Sequence, residues 1–389
     1  MADSTTLKNV IPRTESDISQ EWIAAVTGLK PLPNTISITA NVQDGIGFLS
    51  NLCRVSFKTE EGTENILVKL IPSNPEMLAL TISEGFATRE NQFYSIVLPQ
   101  ILSVVPEIEK NFCKFYCGNS NNSVGEDHLS MLIMEDLKPL GYENFNPDSE
   151  GWEIILENAL KFVAKFHCAG LQLEKTKNLK VSEMFPFCMG INDEDGTPGF
   201  IQFAEMTFPR VHDCLEKGGV PEETRNAYKE LNKYCDKIIG AISKQASKFP
   251  TLIHGDIWPP NMMITRDNND PIKMIDWQIL SYKDPCYELS VLMLTSLPKS
   301  KLQVENIDKF TKIYYQEFLK IAKDSDINVR SEEEFLEFFN TWGMCYGFLW
   351  MLLSVDAFEK DQERYCSVFQ LLHEKYNVAA DLLKVCRNL

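Results

Sequence analysis

His254-Gly255-Asp256-Ile257-Trp258-Pro259-Pro260-Asn261, followed downstream by Met274-Ile275-Asp276-Trp277-Gln278, sets two acids and an amide at a spacing suited to one kind of chemistry. Asp256 can accept the proton of a hydroxyl, while Asn261 and Asp276 can hold magnesium against a triphosphate. That chemistry is phosphoryl transfer. Thr251-Leu252-Ile253 and Met262-Met263-Ile264 are short apolar runs flanking the first motif, and Lys273-Met274-Ile275 precedes the second, the pattern of buried strands that hold a loop. Taken singly, Asp256 reads as a turn aspartate, His254 as a satisfied core histidine and Pro259-Pro260 as a rigid turn. Together, at this spacing, they favour the functional reading.

The elements that must position these residues fall into two groups. From Ile36 to Leu70 the chain has β-rich runs, Ile36 to Thr39, Cys53 to Phe57 and Asn65 to Lys69, broken by Gly, Asp and Asn, which predict an antiparallel meander. A helix is expected from Met77 to Leu98, ended by Pro99, with strands to follow around Phe112 to Tyr116 and His128 to Met134. After Glu135-Asp136-Leu137 the pattern turns helical, with helices expected at Trp152 to His167, Pro221 to Lys248, Val304 to Ala322, Ser331 to Val355 and Asp361 to Val385. Ser331 followed by three glutamates suits a capped helix start. The expected architecture is α+β: a two-lobed, protein-kinase-like fold. Its small lobe spans residues 1–134, with an antiparallel sheet and one helix. Its large, mostly helical lobe spans 135–389, with a hinge near 134–138.

The small lobe carries its own candidates. Gly45-Ile46-Gly47-Phe48-Leu49-Ser50 lies between the first two predicted strands, where Gly45, Gly47 and the Ser50 hydroxyl could donate to ATP phosphates; a plain hairpin turn is the competing account. Lys69 ends an apolar strand and needs an anionic partner. Glu90 on the following helix is the natural one, since such a pair orients the amine toward the α- and β-phosphates. A snorkelling surface lysine and a solvated glutamate would be the bland alternative. By position, the Glu135 carbonyl and the Leu137 amide supply an edge for adenine.

Composition excludes several classes. A chain of 389 residues exceeds one ordinary core, and 44% hydrophobic with 24% charged residues is ordinary for a globular enzyme. A net charge of −17 argues against a nucleic-acid partner. The N-terminus lacks the pattern of a secretory signal, and the longest apolar stretch, Gly343 to Val355, is too short to span a bilayer, so a soluble, cytoplasmic protein is expected. Eleven cysteines, an odd number without metal-ligand spacing, read as reduced core thiols.

His254-Gly255-Asp256, in place of His-Arg-Asp, resembles the kinases of small molecules in the aminoglycoside phosphotransferase and choline kinase clan. Within it the chain is most similar to the ecdysteroid kinase-like family, also called CHK-like, known chiefly from insects. The likeness rests on Glu90-Asn91-Gln92-Phe93-Tyr94 followed by Leu98-Pro99, on Leu132 to Leu137, on Lys161 to His167 with its Phe166-His167 pair, and on the Asp256 and Asp276 motifs. Trp277 stands where the family leads one to expect Phe, and Gly45-Ile46-Gly47 replaces a Gly-x-Asn loop.

The resemblance implies ATP and Mg²⁺ as cofactors and a small-molecule alcohol as acceptor, an ecdysteroid or related steroid-like compound. The aromatic and methionine-rich stretch from Met184 to Phe208 would suit a large apolar alcohol where it lines a cleft, although such residues more often form core. Choline or another cationic amino alcohol is the alternative acceptor, caged by Trp342, Tyr346 and Trp350. A catalytically silent binding module with the same fold is the rival from another class. In the mechanism, His254 would brace its loop through a hydrogen bond, and Asp284 would support loop geometry or simply cap a helix.

Overall fold

The computed structural model describes residues 7–40, 49–121, 127–189, 198–245, 249–266 and 271–389. In chain order its main elements begin with α1 (Gln20–Thr27), β1 (Ser37–Thr39), β2 (Asn51–Lys58), β3 (Thr63–Leu70), α2 (Pro75–Ser83), α3 (Phe86–Gln92), α4 (Leu98–Val104), β4 (Phe115–Ser120), β5 (Ser130–Glu135) and β6 (Tyr142–Asn144). There follow α5 (Trp152–Lys177), α6 (Val181–Met184), α7 (Pro198–Lys217), α8 (Glu222–Asn232), α9 (Cys235–Ser243), β7 (Thr251–Ile253), β8 (Met262–Thr265), β9 (Lys273–Met274) and β10 (Ser281–Lys283). The chain closes with α10 (Pro285–Ser296), α11 (Val304–Asp324), α12 (Glu332–Phe338), α13 (Met344–Leu353), α14 (Gln362–Tyr376) and α15 (Val378–Cys386). This is a two-lobed, kinase-like fold. Its contacts group Met1–Ser103, Glu109–Asn144 and Met262–Ile279 into one compact unit, and Val104–Ile108, Phe145–Asn261 and Leu280–Leu389 into a second.

The first unit is built on an antiparallel sheet of order β1-β2-β3-β5-β4. Strand side chains alternate between faces. Cys53, Val55 and Phe57 of β2 and Ile66, Val68 and Leu70 of β3 therefore share one face, packed with Trp22, Ile23 and Val26 of α1. Lys69, one residue out of phase, belongs to the opposite face, paired across the ladder with Leu52 and Leu132. A second sheet, β6-β8-β9, leads directly into the Asp276 turn.

The helix expected over Met77 to Leu98 is interrupted and runs further. α2 stops before Gly85, whose φ of 66° no β-branched residue would adopt, and α3 starts after it. Phe93–Val97 then forms a π-turn, with the Leu98 amide bonded to the Phe93 carbonyl, and the helix continues through Pro99 to Val104. The π-turn re-phases the ladder just ahead of the proline, whose ring would otherwise clash with the carbonyl four residues back. The same device, a π-turn at Phe339–Gly343, joins α12 to α13 where a single helix is expected.

In the second unit the long helix α5 packs on α11 and on β7, which pairs with β10. α10 is buried along its whole length, as its lack of a polar face requires. Ser331 caps α12, its hydroxyl accepting from the Glu334 amide while Glu334 reaches back. The eleven cysteines are free thiols, all but Cys214 buried. Among the described residues no helix is long and apolar enough to cross a membrane.

The α5 to β7 contact is close enough to depend on one glycine. A Cβ on Gly170 would lie 2.4 Å from Thr251 Oγ1 and 3.1 Å from the Leu252 backbone nitrogen. Gly170→Ala is therefore expected to destabilise the protein by about 1–3 kcal/mol, read as a lower urea midpoint with an unchanged m-value.

Candidate active site

In the first unit, Lys69 is held between two carboxylates. Its Nζ lies 2.7 Å from Glu90 Oε2 and 2.7 Å from Asp276 Oδ1, with side-chain exposures of 14%, 3% and 24% for Lys69, Glu90 and Asp276. The Glu90 partnership follows the sequence reading; the contact with Asp276 was not anticipated, because those two residues lie 207 positions apart. Burial by itself would pull the lysine down, but Asp276 and then Glu90 hold its ammonium well above the ordinary lysine range. Burial, aided by the charge of Asp276, pushes Glu90 up against the pull of Lys69. Two carboxylates against one ammonium leave the trio with net negative charge when all three are ionised, an environment that attracts a further cation.

Backbone and rings fix this geometry. Asp276 has φ of 68°, a left-handed conformation that Asp tolerates better than most residues. Glu90 Oε1 accepts the Trp277 amide at 3.2 Å, tying the turn to α3. Trp277 stacks on Phe93 with ring centroids 4.0 Å apart and also meets Phe112, which gives the larger indole a place where phenylalanine is expected. Arg89 donates to the carbonyls of Gln278 and Glu84, anchoring the far end of the turn. A small cavity is lined by Ser50, Lys69, Glu90, Ser130, Leu132 and Gln278. Glu135 ends β5 opposite Ile66, and Leu137 opens a short turn whose carbonyl accepts from Leu140 and Tyr142. Gly45 and Gly47 lie outside the described residues.

In the second unit, Asp256 is gripped at both carboxylate oxygens. Asn261 Nδ2 donates to Oδ2 at 2.9 Å and to the Asp256 backbone carbonyl at 2.9 Å, while Trp350 Nε1 donates to Oδ1 at 2.8 Å. With its amide nitrogen committed, Asn261 has its amide oxygen to offer a hard cation. His254 braces the loop as expected, its Nδ1 accepting the Asp256 amide at 3.2 Å. Gly255, with φ of 85°, donates its amide to Glu288 Oε2 at 2.9 Å.

Glu288 Oε1 accepts from His167 Nε2, and His167 Nδ1 meets the Tyr314 hydroxyl at 2.7 Å. A carboxylate that accepts from Nε2 sets that nitrogen as the donor, and a neutral ring then has Nδ1 to accept from Tyr314. None of His167, Glu288 and Tyr314 is more than 1% exposed. Sequence reasoning missed this network; the Phe166-His167 pair and the Asp284-Pro285-Cys286-Tyr287-Glu288 run were its visible traces. Asp284 both caps α10, accepting the Cys286 amide, and pairs with Arg330.

Two of the three rings expected to form a cation cage make other contacts. Tyr346 stacks on Tyr287 at 4.8 Å, and Lys283 Nζ sits 5.4 Å from the Tyr346 centroid and 5.7 Å from that of Tyr287. Trp350 packs edge-on against Trp258 and Phe358. In the aromatic and methionine-rich stretch, Phe185 and Phe208 are core, whereas Met189 and Met206 are 42% and 56% exposed.

Two outcomes follow. Glu288→Ala removes the acceptor of two buried donors and is expected to cost about 3 kcal/mol in urea unfolding, with Glu288→Gln costing less because its amide oxygen still accepts. Burial pulls Lys283 down from the ordinary 10.5 to about 7. Over that window the unfolded chain binds a proton that the folded chain does not, so this residue makes stability rise with pH. Lys283→Met should accordingly raise the unfolding free energy below about pH 7 and lose that advantage as pH approaches about 10, measured by denaturant titrations across pH.

Comparison with known proteins places the chain. No curated protein matches it. Among solved structures, the amicoumacin kinase hAmiN in complex with AMP-PNP, Ca²⁺ and Ami is 12% identical with a TM-score of 0.51, the match covering 96% of this chain and 95% of that one. An ethanolamine kinase from Plasmodium vivax is 13% identical with a TM-score of 0.43, covering 91% and 84% respectively. At such identity the hAmiN match speaks for the fold. The family model of the ecdysteroid kinase-like family matches residues 44–326. The chain thus belongs to the ecdysteroid kinase-like family and is a small-molecule phosphotransferase.

Proposed function

We propose that the protein transfers the γ-phosphoryl group of ATP to a hydroxyl of an apolar alcohol, an ecdysteroid or related steroid-like compound. The observation that carries the reading is Asp256 held at both carboxylate oxygens, beside Trp350 and the rings that pack on it. In this reading Asp256 accepts the acceptor's hydroxyl proton as the new O–P bond forms and the bond to the β-bridging oxygen breaks, releasing ADP. Lys69, oriented by Glu90, balances the charge of the α- and β-phosphates. The Glu135 carbonyl and Leu137 amide meet the adenine edge at the hinge of residues 134–138.

Asn261 and Asp276 would hold Mg²⁺. Their oxygen donors and the negative surplus around Lys69 suit a hard cation, which when bound neutralises charge on the triphosphate. Among the described residues no group of three or more His, Cys, Asp or Glu side chains offers a rival metal site.

An uncharged acceptor is favoured over choline because the Lys283 side chain already lies over the face of Tyr346, one of the three rings a choline cage would need. The presence of Lys69, Glu90, Asp256, Asn261 and Asp276 supports turnover rather than silent binding. A cytoplasmic setting belongs to the same reading, supported by thiols free throughout the chain.

The test is label transfer from γ-labelled ATP in the presence of Mg²⁺ to ecdysteroids, other sterols and choline. Asp256→Asn and Asp276→Asn are expected to fold, since Asn also tolerates the left-handed conformation at 276, and to lose at least ~100-fold in transfer rate. A folded Asp276→Asn protein with undiminished transfer would refute the assignment, and preferential labelling of choline would replace the acceptor class.

A further inference from the structure

We propose that Trp350 is a positioning residue for the reaction: its indole N–H pins the Asp256 carboxylate to helix α13, fixing the orientation in which that base meets the acceptor hydroxyl. The proposal rests on the reading of Asp256 as the base. Asn261 comes from the same loop, five residues on, and grips Oδ2 together with the Asp256 carbonyl, contacts that lie within the loop. Trp350 comes from 94 residues away and is only 8% exposed. Its ring is held edge-on by Trp258 at 5.3 Å and by Phe358 at 6.4 Å.

A carboxylate on a short side chain rotates about two bonds, and a single donor leaves one rotation open. Two donors on different oxygens, from elements far apart in sequence, close both. A carboxylate oxygen can accept two hydrogen bonds, so an indole donor does not by itself exclude the acceptor's hydroxyl. A donor on the base draws charge from it and would by itself slow proton abstraction, so the gain expected from Trp350 is orientation.

The experiment compares the full-length wild type, Trp350→Phe, Asp256→Asn and the double variant with Mg²⁺-ATP, using ecdysone as acceptor for label transfer and water as acceptor for phosphate release. Trp350→Phe keeps an aromatic ring while losing the donor together with the pyrrole part of the indole. It should lower kcat for ecdysone by roughly 10- to 100-fold, with KM for ATP and for ecdysone within about two-fold, and a lower Tm from the smaller ring leaves that split unchanged. In the Asp256→Asn background it should cause no further loss.

An equal loss in that background, or a raised KM at unchanged kcat, overturns the proposal. Should Trp350→Phe fail to fold, the Trp350 indole N–H resonance decides instead: it moves in Asp256→Asn if the contact exists, and an unmoved resonance overturns it. A wild type that hydrolyses ATP but ignores ecdysone refutes only the acceptor class, and the same four proteins then settle Trp350 on phosphate release. A wild type inert in both assays overturns the base and Trp350 together.

Discussion

A carboxylate taken out of water must find donors, and Glu288 finds them on two different elements. One oxygen receives His167 of the central helix α5, itself bonded to Tyr314 of α11; the other receives the backbone of Gly255. Satisfying one buried charge thus fixes the loop that begins at His254 to the helical body. Gly255 can turn its amide that way because it sits at positive φ, and the next residue is Asp256. The orientation of the proposed base is in this sense a consequence of solvating Glu288 from within.

The first unit solves a similar problem with opposite sign. Strand alternation that buries Ile66, Val68 and Leu70 against α1 leaves Lys69 on the other face. There an ammonium is stable only beside anions, and Glu90 and Asp276 supply them. Asp276 reaches it from a left-handed backbone position that the Trp277 stack and the Glu90 to Trp277 amide bond hold in place. A mildly strained turn is maintained because its neighbours over-determine it.

Much of the architecture is legible in the amino-acid sequence. The strands through Lys69 and the helices at Trp152 and Val304 follow from apolar periodicity, and the Ser331 cap follows from its glutamate three residues on. Periodicity failed where the ladder changes phase. The π-turns at Phe93–Val97 and Phe339–Gly343 preserve a helical pattern of apolar residues while shifting the hydrogen bonds, so the pattern alone cannot reveal them. Nor can composition show that Pro99 lies inside a helix, since that depends on the turn before it.

The sequence by itself determined the chemistry on offer: which residues carry carboxylates, amides and an amine, and which local runs place them on loops or strands. Those properties depend on side-chain type and short-range spacing. Tertiary structure decided the company each group keeps. Lys69 meets Asp276 as well as Glu90, Asp256 meets the Trp350 indole, Lys283 covers the tyrosine face offered to a cation, and Glu288 receives both His167 and Gly255. Such pairings join residues distant in the chain, and they exist because buried polar groups must be satisfied by whatever packing brings within about 3 Å.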